Sequence, residues 1–84
     1  MNYSYLINSG SLWIYQEGFK SLKSCISDMK DFVNFSKDSV YIKKTFSDGH
    51  STSWKMYSAN PFVYWVVAPS QEYLDRKVGE CLYA

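Results

Sequence analysis

Histidine, cysteine and glycine are too scarce and too scattered in this chain to assemble the commoner reactive sites. His50 is the single histidine among 84 residues, and its only local acid is Asp48 beside a glycine turn. That is the setting of a solvated loop residue. Cys25 and Cys81 are the only cysteines and stand far apart without a CxxC, which excludes a zinc site or a thioredoxin-like redox pair within one chain. Gly10, Gly18, Gly49 and Gly79 are isolated from one another, so no loop of the phosphate-cradling kind can form. No apolar run approaches the roughly 20 residues that span a membrane, and the N-terminus lacks the basic region and continuous apolar stretch of a signal peptide. The expectation is a reducing, cytoplasmic protein, with both thiols serving as small buried residues of helices. The glycosylation-type triplets at Asn2 and Asn34 are then chance matches.

Charge of either sign is also lacking in excess. Nine Lys and Arg against eight Asp and Glu leave a formal net charge of +1, whereas proteins that draw their affinity from neutralising phosphates are strongly basic. Nucleic acid is the less favoured partner. Asp28 and Asp31 lie one helical turn apart but alternate with Lys30, which describes a wet helix face and not an acid-base pair. The chain is expected to be no enzyme and to need no metal or cofactor.

Aromatic residues are abundant instead: eight Tyr, five Phe and three Trp, 19% of the chain. Rings offer large contact area at low entropic cost, which is why they concentrate in interfaces and stacking platforms. At this length residues 1–84 form a single domain, and so small a domain needs a dense core or a shared one. A homodimer is a reasonable outcome.

The order of patterns predicts an α+β fold. Tyr3 to Ile7 and Leu12 to Tyr15 are β-branched and aromatic runs joined by the turn chemistry of Asn8 to Ser11. From Phe19 the period changes: Phe19, Leu22, Ile26, Met29 and Val33 recur at three and four, predicting one long amphipathic helix over about 18–35. A second hairpin follows, Val40 to Phe46 and Thr52 to Ser58. With Ser47-Asp48-Gly49 as a three-residue loop and Gly49 left-handed, Ile42 pairs with Trp54 and Val40 with Met56, all apolar. A two-residue turn would mix the faces. Asn60-Pro61 then interrupts the pattern. Phe62 to Val67 is apolar on both faces, as suits a central strand or a subunit contact and not a solvated edge. Ser70 caps a final short helix with a stripe of Leu74, Val78, Cys81 and Leu82. The expected architecture is ββαβββα, an antiparallel sheet of about five strands with the long helix packed on one face and the short one near an edge. Ile26, Met29, Ile42 and Trp54 should be buried together.

The preferred register also places Tyr41, Lys43, Lys55 and Tyr57 on the reverse face of the second hairpin. Tyrosine area with a charged rim suits a protein interface; the same set could stack on bases and meet phosphates, although the glycine-flanked aromatics of RNA-recognition sheets are absent. A compact chain of sheet, helix and hairpin, rich in Tyr, Ser, Lys and Phe, resembles the small accessory proteins of bacteriophages, among them anti-CRISPR and host-takeover inhibitors. The likeness is one of size and character and carries no motif, so it transfers no residue. It implies stoichiometric binding and inhibition of a larger host or defence protein, with a small nucleic-acid-binding regulator as the alternative.

Overall fold

The computed structural model describes residues 1–57, 66–67 and 71–83. Its elements are β1 (Asn2–Ser9), β2 (Leu12–Phe19), α1 (Leu22–Met29), β3 (Ser39–Thr45), β4 (Ser51–Met56), β5 (Val66–Val67) and α2 (Gln71–Tyr83). The fold is α+β: an antiparallel sheet in the order β2-β1-β3-β4-β5 with two helices. Four strands of six to eight residues carry the sheet, and β5 contributes two. The rest of the expected apolar strand, residues 62–65, lies outside the described residues, as do Ser70 and the side chain of Leu82. Val66–Val67 pairs with β4 and stands outermost in the strand order, where a central position was expected. Only α2 follows it in the chain, so no later described strand can flank it.

Both hairpins follow their turn chemistry. In the first, Ser9 faces Leu12 across Gly10-Ser11; Gly10 has φ +62 and Ser11 has no positive φ, the pattern of a type II′ turn. In the second, the Phe46 amide donates to the His50 carbonyl at 2.9 Å, the Gly49 amide to the Phe46 carbonyl at 3.0 Å, and Gly49 has φ +95. Val40 therefore meets Met56, and Ile42 meets Trp54, in the register that keeps the two faces separate.

The long helix is shorter than its periodicity suggests, and each end has a local cause. At the start, β2 runs on to Phe19. Tyr5 faces Gln16 but Tyr3 faces Phe19, so Glu17 and Gly18 form a bulge, with Gly18 at φ +91. One extra residue reverses the alternation beyond it, turning Phe19 toward Tyr5, where the rings stack at 5.7 Å. Ser21 then caps the helix, its Oγ accepting from the Ser24 amide at 3.1 Å. At the far end, Asn34 and Asp38 offer the backbone a competing set of bonds: Asp38 Oδ2 accepts from the Asn34 amide at 2.9 Å, and Asn34 Oδ1 accepts from the Ser36 amide at 3.1 Å. Such short side chains favour turns over helix. Phe19, Leu22, Val33 and Phe35 nonetheless pack against the core, so the spacing reported burial correctly and conformation incorrectly.

That core lies between α1 and one sheet face: Tyr5, Ile7, Cys25, Ile26, Met29, Val40, Ile42 and Met56 are all buried. The Tyr5 hydroxyl donates to Asp28 Oδ2 at 2.6 Å, tying β1 to the helix. Trp54 is only half-buried and stands outside this cluster, against expectation. The first expected helical turn is absent from over it.

The second helix covers the opposite face. Leu6, between Tyr5 and Ile7, points away from α1 by strand alternation, yet is only 3% exposed. It lines a narrow cleft with Tyr15, Tyr41, Lys43 and α2 residues Leu74 and Val78. α2 also packs along β2, the sheet's edge, so its expected position near an edge holds. The described residues thus form three layers: helix, sheet, helix. Among them, no helix is long and apolar enough to cross a membrane.

Candidate interaction surfaces

The expected reverse-face set shares one face but divides into two environments. Tyr41 faces Lys55 and Lys43 faces Ser53 across the β3–β4 pair. Tyr41 and Lys43 border α2, where Lys43 Nζ lies 3.7 Å from Asp75 Oδ1. Ser4 and Ser53 are buried on this same face, at 7% and 5% exposure. Lys55 and Tyr57 form the outer half: the lysine ammonium sits 5.2 Å from the Tyr57 ring centre, and Tyr57 is 52% exposed.

A second surface lies on the α1 side, at the start of that helix. Tyr3, Leu22, Lys44 and Trp54 line an open hollow of about 250 Å³. β1 and β3 place Tyr3 directly opposite Lys44, and β4 places Thr52 on the other flank of Lys44. The Lys44 ammonium lies 5.8 Å from the Tyr3 ring centre and 4.8 Å from that of Phe46. Phe46 in turn stacks on the His50 ring at 4.3 Å, and His50 is held by Asp48 through both its ring Nδ1 and its amide. The hairpin tip is therefore a short stack of two rings with a cation at its end. The sequence did carry a signal for this site. Ile42, Lys44 and Phe46 alternate onto one face, so a lysine within an apolar row marks where the helix cover stops.

A third cluster joins β2 to α2. Trp13 meets Tyr73 edge-on at 6.2 Å, and Lys77 Nζ lies 5.4 Å from the Trp13 ring and 5.6 Å from the Tyr73 ring. Lys77 is paired with Glu80 at 3.1 Å, so the cluster is neutral as well as aromatic.

Buried groups with shifted titration are structural in placement. Burial, aided by the hydrogen bond to Asp28 and its charge, holds the Tyr5 phenol well above its ordinary range. Burial, with a smaller contribution from Asp28, pushes the Cys25 thiol up to about 12, and a thiol so protonated is a poor nucleophile. Burial and the hydrogen bond to Glu17 raise Tyr15 to about 12. Among the described residues, no three His, Cys, Asp or Glu side chains gather in a set able to hold a metal ion.

No protein family, curated protein or solved structure matches this chain. Functional argument therefore starts from the geometry above.

Proposed function

We propose that this chain is a small non-catalytic binding protein that inhibits or modulates a larger host or defence protein by stoichiometric contact. The observation that supports this reading is the β3–β4 hairpin itself. It presents a lysine held over aromatic rings on each face, Lys44 over Tyr3 and Phe46 and Lys55 over Tyr57. A flexible lysine already ordered against a ring loses less freedom on binding, and aromatic anchors flanked by charge are the usual energetic centre of an interface. Tyr41 and Lys43 contribute at the inner margin, beside α2. Purified chain should capture one protein from host lysate in a fixed ratio, read by mass spectrometry and light scattering. Tyr41→Ala with Tyr57→Ala should weaken that complex by about 2 kcal/mol or more. Failure to form any fixed-ratio complex would reject the reading.

The same lysine–ring pairs favour one alternative, a regulator that binds single-stranded nucleic acid by stacking. In that case purified protein would carry excess absorbance at 260 nm. Lys43→Ala with Lys55→Ala would also flatten the logarithmic salt dependence of affinity by roughly two units, about 0.9 for each lost phosphate contact. A protein partner leaves the slope nearly unchanged.

A further inference from the structure

We propose that the hollow formed by Tyr3, Leu22, Lys44 and Trp54 receives one bulky apolar side chain from an acidic segment of the partner protein, with a neighbouring carboxylate of that segment meeting Lys44. The inference rests on the binding reading above and names what that binding recognises.

Size decides first. At about 250 Å³ the hollow falls below the roughly 300–1,000 Å³ of sites that enclose a whole small ligand. It suits a single anchor side chain, with the rest of the ligand lying outside. The walls then decide polarity. Two rings and a leucine make an apolar floor, and Lys44 is the only charged residue among the described residues that line it.

Charge decides what lies beside the anchor. Among the described residues, no carboxylate pairs with Lys44; its near neighbours are the rings of Tyr3 and Phe46. Lys20 adds a second positive charge close by, its ammonium donating to Asn2 Oδ1 at 3.1 Å next to Tyr3. The acids on this side are already engaged, Asp28 by the Tyr5 hydroxyl and Asp48 by His50. The mouth of the hollow is therefore positive, and complementarity calls for an anion adjacent to the anchor. The hollow beside α2 makes the contrast: it is lined by Trp13, Tyr15, Glu80 and Cys81, and its acid is matched by Lys77. It offers rings without an unbalanced charge.

The test uses two capped heptapeptides, each with one central phenylalanine, flanked by glutamates in one and by lysines in the other. Each is titrated to millimolar concentration into ¹⁵N-labelled protein. The glutamate peptide should bind about tenfold tighter than the lysine peptide or better, with shifts concentrated at Leu22, Lys44 and the Trp54 indole. Lys44→Gln should erase that preference and Lys44→Glu should reverse it, the dispersion of the remaining resonances verifying that each variant is folded. Absence of binding, shifts centred elsewhere, equal affinity for the two peptides, or a preference unchanged in both variants would overturn the proposal. The lysate complex separates the two levels of the argument. A complex retained at full strength by Lys44→Glu would remove this hollow from the interface and leave the binding reading standing, whereas no complex with the wild-type chain would remove the binding reading itself.

Discussion

The two faces of the sheet are closed by helices of very different character. On the α1 face, eight residues of helix and three strands bring together an apolar cluster in which Tyr5, Ile7, Cys25, Met29, Val40 and Ile42 are essentially without solvent contact. On the α2 face, a helix of 13 residues meets a mixed surface: Leu6 and Leu74 are buried, but beside Ser4, Ser53, Tyr41 and Lys43. The shorter helix covers the denser core. Length of helix is therefore a poor guide to its stabilising weight here; the apolar area that it removes from water is the better one.

The largest expected effects break this comparison directly. Ile26→Ala, on the buried stripe of α1, should lower stability by about 2–5 kcal/mol, a large part of what a small domain has. Leu74→Ala on α2 should fall at or below the lower end of that range, because its polar surroundings lose fewer apolar contacts. Urea midpoints at constant slope compare the two. A Leu74→Ala loss equal to that of Ile26→Ala would make the faces equivalent.

What the sequence made legible follows the same division. Strand pairing was readable because two faces of opposite polarity allow only one register: Val40 with Met56 and Ile42 with Trp54 needed a three-residue loop, and Gly49 supplied it. The α1 stripe was readable as burial but not as helix, since the bulge at Glu17 and Gly18 and the Asn34–Asp38 turn put Phe19 and Val33 into the core from non-helical backbone. The reverse face was legible as a shared face and illegible as a covered one. Nothing in the alternation of Tyr41 and Lys43 says that α2 will lie beside them; that depends on a connection outside the repeating pattern. The hollow at Lys44 was missed for the complementary reason, because the helix was expected to begin a turn earlier, over Trp54.

The bulge offers the next test. Gly18 sits at φ +91 with nothing within 4 Å of a would-be Cβ, so Gly18→Ala meets backbone strain alone. A left-handed conformation costs a residue with a side chain roughly 1–2 kcal/mol. The loss should appear on the α1 face, because the bulge is what turns Phe19 toward Tyr5. A nuclear Overhauser contact between those rings that survives with unchanged stability would show that the bulge is not needed to aim Phe19.

Alkaline pH should also act mainly on the α1 face. The folded state holds the Cys25 thiol up to about 12 against an ordinary 9.0, and Tyr5 above its ordinary 10.0. Raised values mean that the fold keeps protons that the unfolded chain releases. Stability from these groups is thus complete below about pH 9 and declines as pH rises toward 12. Replacing Cys25 by Ala should reduce the loss of stability between pH 8 and pH 10.5. Cys81→Ala should change it less, since that thiol lies on α2 and is only half-buried.

The smallest effect expected is at the ion pair that joins the α2 face to the sheet. Lys43 Nζ and Asp75 Oδ1 are 3.7 Å apart, with about a third of the lysine side chain and half of the aspartate exposed. Water and salt screen such a pair, and its coupling should lie within about 0–1 kcal/mol. A double-mutant cycle with Lys43→Ala and Asp75→Ala isolates that coupling from the packing each side chain also provides. If the coupling is small and fades at 1 M salt, α2 is held chiefly by Leu6, Leu74 and the Trp13–Tyr73–Lys77 cluster. Lys43 could then turn outward to a partner at little cost to the fold, leaving it available to the interface together with Lys55 and Tyr57. A coupling well above 1 kcal/mol would mean the reverse: Lys43 would be committed to holding the helix, and the partner surface on this face would shrink to its outer half.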